Sequence, residues 1–372
     1  MSQGIERAWP PGLGIVSPLR QTTVHIVERL APGGIETLVL DLVAGTGAAR
    51  VFSLQGERQE LLARWPALVR IGERIAGFRR NGRDPRLILQ LARALREANT
   101  KTVFLHHLGP LLYGGLAARL ARVPRVIFVE HDAWHYADRS ERILTRCLIK
   151  VLRTRLLAVS RQVAERLRAI MPGCEVNVIP PGIDTERFTP GNKSLARQRL
   201  GLSEHWRIIG SVGRLHPVKG QRFLVEAIRR LPDDVHAVFV GDGPTRHELE
   251  QLVQELSLGA RVHFIGHRDD LDRIYPAFDI FCLPSLSEGL PRALLEAQAS
   301  GIPAVATNVG GVPEAVCAVS GLMVPPADLN ALAAALRQAL QRPRFLDSPR
   351  AFIVGQMSLK DTVHKYRQLA EG

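Results

Sequence analysis

Four cysteines in 372 residues, Cys147, Cys174, Cys282 and Cys317, are too few and too widely spaced for a disulfide framework or a zinc ribbon. Their expected state is reduced and partly buried, as in a cytosolic chain. No window approaches the roughly 20 apolar residues of a membrane-spanning helix. The opening MSQGIERAWPPGLGIVSPLR lacks the uninterrupted apolar stretch of a signal peptide. A cytoplasmic protein, soluble or peripheral on the inner face of the membrane, is expected, with 1–22 as a flexible lead-in. Solenoid repeats, a G-x-G-x-x-G fingerprint and a G-x-x-x-x-G-K-[ST] phosphate loop are also missing. Acidic residues are scarce as well: 36 Asp plus Glu stand against 49 Lys plus Arg, a formal charge of +13. The deficit is local. Residues 1–183 hold 27 basic and 15 acidic side chains, a net of +12, whereas 184–372 hold 22 and 21, a net of +1. The first half is therefore expected to meet something anionic. Nucleic acid would suit the charge, but no helix-turn-helix, zinc or RNA-binding signature accompanies it.

What remains is an ordinary α/β composition, 46% apolar with 32 Gly and 24 Pro. Short apolar runs alternate with helical patterns, which predicts βαβ units and parallel sheets. In the first half the runs are Val24–Val27, Val51–Leu54, Thr102–His106, Val126–Glu130 and Leu156–Ser160. Gly33 and Gly34 follow the first of them and lead into a helix over Ile35–Val43. Proline and glycine cluster without periodicity at 179–190, and a second series then begins. Its strands are Ile208–Val212, Ala237–Val240, Val262–Ile265, Ile280–Leu283 and Ala304–Ala306, separated by helices that include Pro291–Ala299. Two Rossmann-like domains, 23–183 and 184–357, are expected to face each other across a cleft. A last helix, 358–372, is expected to pack back towards the first domain. Ligands of such sheets bind beyond the carboxyl ends of the strands.

Three post-strand segments carry candidate chemistry. The first is Pro284-Ser-Leu-Ser-Glu288-Gly289-Leu290-Pro291, which opens the helix bearing Glu296. Gly289 permits close backbone approach, Pro291 suits a first helical turn, and the free N–H groups form an anion site. Glu288 and Glu296 can accept bonds from sugar hydroxyls, or they are a helix cap and a solvated helix residue. The second is Gly213-Arg214-Leu-His-Pro-Val-Lys219-Gly220, with two cations placed to neutralise a diphosphate or to form a solvated basic turn. The third, Gly241-Asp-Gly243-Pro244, is a tight turn. His131 follows a strand, as do His106 and His107, with His135 nearby; each is an active-site or a structural histidine. Asp270-Leu-Asp272 can bind a divalent metal or supply acidic residues to a helix start.

Together these segments resemble the family 4 retaining glycosyltransferases of the GT-B fold. The resemblance covers roughly 24–372. It rests on Pro180-Pro-Gly-Ile-Asp184 with Phe188, Gly213-Arg214 to Lys219-Gly220, Gly241 to Pro244, the Glu288/Glu296 pair, and Gly310-Gly-Val-Pro-Glu314. It implies a nucleotide diphosphate sugar as donor, with no other cofactor. Arg214 and Lys219 would hold the diphosphate, and Glu296 the ribose. Glu288 would contact the transferred sugar, with the Gly289 and Leu290 amides on phosphate. The base would lie near Val240 and Ile265-Gly266. Gly33-Gly34-Ile-Glu36 matches the glycine loop beside the phosphates and the acceptor, and His131 an active-site histidine. Charge developing on the leaving diphosphate can be stabilised by Arg214, Lys219 and the helix start without a metal. Retention is implied, by front-face displacement. A nucleotide-sugar epimerase or hydrolase of the same fold is the alternative.

The basic half has its own pattern. Ten arginines between Arg58 and Arg96 interleave with Leu61, Leu62, Trp65, Leu68, Ile71, Ile75 and Phe78, which suits an interfacial helix on anionic lipid. A second helix, from Ser140, is expected to set Ile143, Leu144, Cys147, Leu148 and Val151 against Arg142, Arg146, Lys150 and Arg153. That basic stripe adds to the lipid surface or is a solvated face. The resemblance favours membrane contact and a glycan or lipid-linked acceptor in cell-surface polysaccharide or lipopolysaccharide synthesis.

Overall fold

The computed structural model describes residues 22–80, 82, 84–132, 136, 138–342 and 347–372. The expected lead-in, apart from Thr22, and Arg83 and His135 lie outside them. Among the described residues thirteen strands form two sheets. The first contains β1 (Thr22–Arg29), β2 (Ala49–Gln55), β3 (Ile75–Gly77), β4 (Thr100–His106), β5 (Arg125–Glu130), β6 (Arg155–Ala158) and β7 (Val176–Val178), in the order β3-β2-β1-β4-β5-β6-β7. The second contains β8 (Arg207–Val212), β9 (Val235–Val240), β10 (Val262–Phe264), β11 (Ile280–Leu283), β12 (Ala304–Thr307) and β13 (Leu322–Val324), in the order β10-β9-β8-β11-β12-β13. The pairings β1 with β2 and β4, and β8 with β9 and β11, are all parallel. Parallel strands need helical crossovers, which cover both faces; this is why all six residues of β9 are buried. Each order reverses once, at β1/β4 and at β8/β11, as in doubly wound nucleotide-binding sheets.

The chain divides into two compact units. One comprises the residues up to Val129 with Leu144–Arg155 and Val363–Gly372; the other comprises Glu130–Ile143 and Leu156–Thr362. Within the first, Tyr366 of the Leu359–Glu371 helix packs 5.2 Å from the Phe104 ring, and Thr102 Oγ1 donates to Ala370 O at 2.9 Å. His106 is fully buried, and its Nε2 lies 3.0 Å from His25 Nδ1. It is a structural histidine of the core.

The Arg58–Arg96 stretch corrects the interfacial-helix expectation. It folds as the Arg58–Arg64 helix, a 3-10 stretch Pro66–Arg74 kinked at Gly72, strand β3 and the Arg86–Glu97 helix. Leu61, Trp65, Leu68, Ile71 and Ile75 are buried in one cluster with Val27, Leu40 and Val51. Burying each such side chain stabilises by about 1.5–3 kcal/mol, so the core claims them ahead of any lipid. The arginines turn to the chain itself. Arg58 pairs with Glu73, Arg70 with Asp41, Arg79 with Glu57 and Glu60, and Arg80 with Glu28. Arg74 Nη1 donates to Val43 O and Thr46 O at 2.6 and 3.0 Å.

A second correction concerns the Arg139–Leu152 helix. Its buried residues are Thr145, Leu148, Ile149 and Leu152. Ile143, Leu144 and Val151 are 51%, 40% and 74% exposed, and Cys147 is exposed too. Most of the expected apolar side therefore faces water.

Candidate active site

Order reversal at β8/β11 leaves room beyond the strand ends, and the two loops that leave them meet there. Leu286 N donates to Val218 O at 2.8 Å. Lys219 ends a single 3-10 turn, Pro217–Lys219, that is capped by His216 and closed by Gly220 at φ 61°. From there its Nζ reaches the Glu288 carboxylate, 2.8 Å from Oε1 and 2.9 Å from Oε2. Ser285 Oγ donates to the same Oε1 at 2.6 Å. The Glu288 side chain is only 6% exposed, and an unpaired carboxylate so buried would cost several kcal/mol. Three hydrogen bonds from these two groups fill three of about four acceptor positions on it. One remains for an incoming hydroxyl.

Main-chain contacts fix the surrounding loops. At Gly241, φ is 137° and a Cβ would run into Gly213 O; Gly243 sits in the same way on Leu215 O. Gly241 N donates to Gly266 O at 2.7 Å, which joins the ends of β9 and β10. A Cβ on Gly289 would strike His131 O, and one on Gly310, at φ 53°, would strike Glu288 O. Gly311 N donates to Gly289 O at 2.7 Å. Leu290 is buried, and Pro291 is the N-cap of the Arg292–Ala299 helix, so that helix begins one residue after the proline. Arg214 is exposed and pairs with no carboxylate among the described residues. Its carbonyl accepts from Gln221 Nε2 at 2.9 Å.

Glu296 lies just over one turn into that helix and is 6% exposed. It accepts from the Tyr275 hydroxyl at 2.9 Å. Burial first, and the Glu296 charge second, hold the Tyr275 phenol well above its usual range. His131 is 6% exposed, and its N–H donates to Glu130 Oε1 at 3.1 Å. Glu130 also accepts from the Tyr136 hydroxyl, whose pKa is driven up by burial and by that carboxylate. Thus Arg214, Lys219, Gly241, Gly243, Glu288, Gly289, Leu290, Glu296 and His131, which follows β5, all belong to the second unit.

Gly33 and Gly34 belong to the other unit, after β1. Gly33 is the extended N-cap of the Gly34–Gly45 helix, with the Glu36 carboxylate folded back under it. Burial raises the Glu36 pKa, and His107 acts against that rise. Around the same strand ends, Arg80 Nη2 lies 2.7 Å from Glu28 Oε1 and its guanidinium 5.3 Å over the Tyr113 ring. Gln55 Nε2 donates to Glu28 Oε1 at 2.6 Å.

Several partners escape sequence reasoning. Ser285 and Glu314 stand inside quoted motifs without an assigned role. Glu314 accepts from Arg161 N at 3.0 Å and Gln162 N at 3.1 Å, capping the Arg161–Ile170 helix beside Ser160. It thereby holds Gly310-Gly311, and with them the Glu288 loop. Tyr275 gives no local signal at all. The Asp270/Asp272 pair is bound by arginines: Arg268 is bidentate on Asp270 at 2.8 and 2.7 Å, and Arg187 lies 3.1 Å from Asp272.

These loops and sheet orders are those of a GT-B glycosyltransferase, and comparison with known proteins agrees. A model described as Glycosyltransferase Family 4 matches residues 32–187, and one described as Glycosyl transferases group 1 matches 192–353. The EpsF protein of Bacillus subtilis is 29% identical over 320 residues, 82% of this chain and 83% of that protein. An Escherichia coli UDP-Gal:alpha-D-GlcNAc-diphosphoundecaprenol alpha-1,3-galactosyltransferase is 32% identical over 245 residues, 62% of this chain and 63% of its own length. The structure of Anabaena HepE in complex with UDP and glucose superposes with a TM-score of 0.84 at 21% identity, covering 94% of this chain and 99% of that one. The chain belongs to the family 4 glycosyltransferases and has the GT-B fold.

Proposed function

We propose that this glycosyltransferase is retaining and moves a hexose from a nucleotide diphosphate sugar to a lipid-linked or glycan acceptor, in cell-surface polysaccharide or lipopolysaccharide synthesis. The Lys219–Glu288 pair at the β8/β11 switch point carries the reading. The ammonium is held in place at the strand ends by a carboxylate with acceptor capacity to spare. In this reading Lys219 and Arg214 take the diphosphate, with the Gly289 and Leu290 amides, against the close-packed turns at Gly241 and Gly243. Glu288 takes a sugar hydroxyl, and Glu296 the ribose. Fixed cations and amides aimed at a leaving diphosphate stabilise its growing charge with no metal or further cofactor. Glu288 is neutralised by Lys219 and Glu296 is bonded by Tyr275, so neither is poised as a covalent nucleophile. That supports front-face displacement, with His131 beside the reacting carbon.

The acceptor is assigned to the first unit, near Gly33, Gly34 and the Glu28–Arg80–Tyr113 cluster. A lipid-linked acceptor is in keeping with the diphosphoundecaprenol named for the E. coli relative, and in this reading the enzyme works at the cytoplasmic face of the membrane. No helix among the described residues is long and apolar enough to cross a membrane, and the reading takes the contact as peripheral. Thermal-shift screening against UDP-, GDP- and ADP-sugars tests the donor site, because a ligand of the folded state raises Tm. Lys219→Ala and Glu296→Ala should each abolish the donor-induced shift; Glu296→Ala should move the unliganded Tm by only a few degrees, and Lys219→Ala should lower it further because Glu288 is left without its cation. An unchanged shift in both rejects the assignment. Product analysis with and without acceptor separates transfer from hydrolysis or epimerisation.

A further inference from the structure

We propose that the solvent face of the Arg139–Leu152 helix is a docking surface for an anionic phospholipid bilayer. The inference rests on the lipid-linked acceptor proposed above and deepens it by naming the element that meets the membrane.

Helical geometry orders the exposed side chains into rows. Ile143, Cys147 and Val151 stand at i, i+4 and i+8, so they form one line along the helix. Arg142, Arg146 and Lys150, each one residue earlier, form the adjacent line, and Arg153 continues it just past the helix end. The opposite side, Thr145, Leu148, Ile149 and Leu152, is spent on the core. Single exposed apolar residues are normal on a protein surface. A continuous row of three beside a row of three cations, with Leu144 also exposed, is not scatter. Arg146, Lys150 and Arg153 pair with no carboxylate among the described residues, unlike Arg58, Arg70, Arg79 and Arg80. Their charge is free to act outward.

The mixture selects the partner. A nucleic acid would use the cations but leave Ile143 and Val151 in water. A bilayer interface takes apolar side chains to the acyl boundary, while long basic side chains reach up to the phosphates. Presentation is rigid, because the Arg119 guanidinium donates to Leu152 O and ties the helix end to the neighbouring Leu108–Leu120 helix.

Vesicle sedimentation of the full chain tests the proposal, with phosphatidylcholine vesicles against vesicles containing 30% phosphatidylglycerol. Recovery on the anionic vesicles should fall about 25-fold in Arg146→Ala/Lys150→Ala, at about fivefold per cation. Val151→Glu should lose binding as well, and 0.5 M salt should release the wild type. A polarity-sensitive fluorophore on Cys147, in a Cys174→Ser background, should shift to the blue only on anionic vesicles. All variants should keep the donor-induced thermal shift and transfer to a detergent-dispersed lipid diphosphate. Wild-type recovery by both variants, or equal recovery on neutral vesicles, overturns the docking surface. So does a concentration-dependent dimer that Val151→Glu dissolves, which would make a second copy the occupant. Failure of transfer in detergent by every form would instead overturn the lipid-linked acceptor beneath it.

Discussion

The two order reversals, β1/β4 and β8/β11, have the same topology and different furnishings. At β8/β11 the loops are set main chain against main chain: Gly241 on Gly213, Gly289 on His131, Gly310 on Glu288, with the Lys219–Glu288 pair between them. At β1/β4 the strand ends carry side chains instead, Glu28, Gln55, Arg80, Tyr113, Glu36 and His107, joined by hydrogen bonds, an ion pair and a cation–π contact. Backbone packing has one geometry, which suits the diphosphate of the proposed donor. Side chains can be exchanged singly without moving the chain, which suits an acceptor that differs from one enzyme to the next.

The largest expected effect tests whether the donor end is chemistry or scaffold. Lys219→Ala should lower kcat/KM by about 10²–10³-fold, roughly 3–4 kcal/mol of transition-state stabilisation. Adding Glu288→Gln should recover stability but not rate; recovery of rate would make the pair structural. Next comes a direct comparison of glycines. Gly310→Ala should cost at least about 2 kcal/mol by denaturation, since it combines a left-handed φ with a collision on Glu288 O. Gly34→Ala has nothing within 4 Å and starts a helix, so it should be neutral or stabilising by about 0.5 kcal/mol. Equal costs would erase the distinction between the two ends. Acid should weaken the first unit through His25, whose pKa is lowered by burial to about 3. Below its ordinary value near 6.5, the unfolded chain binds the proton that the folded unit refuses. Stability therefore falls as pH drops through that window, by about 2 kcal/mol between pH 7 and 5. His25→Phe should lose less over the same interval. The smallest effect on stability is Arg80→Ala, within about 1 kcal/mol for a partly exposed pair. It should raise the acceptor KM and leave the donor KM alone; an effect on the donor would misplace the cluster.

The same contrast explains what could be read from sequence. Glycines that accept a carbonyl at contact distance can be nothing else, so the backbone-built end shows as a run of motifs from Gly213 to Gly311. Strand positions are legible for a similar reason, because both faces of a parallel sheet are buried and apolar runs result. Glu28, Arg80 and Tyr113 carry no pattern: they meet through β1, a loop and a helix far apart in the chain. Composition misled where carboxylates decide the outcome. Arg58–Arg80 and Arg142–Arg153 look alike as interleaved arginines and hydrophobes, but Glu28, Asp41, Glu57, Glu60 and Glu73 are folded against the first stretch only. Helical period alone also could not say which of two apolar sides of the Arg139–Leu152 helix is buried.

Residues 363–372 complete the first unit: Tyr366 packs on Phe104, and Arg125 Nη2 donates to Glu371 O at 2.8 Å. A ribosome therefore delivers most of that unit first and its closing helix only after the whole second sheet has been made. During synthesis the rings of His25 and Phe104 wait uncovered while more than 200 residues follow β5. A unit begun before the second sheet is finished only after it, which makes it the natural client for a chaperone on the nascent chain.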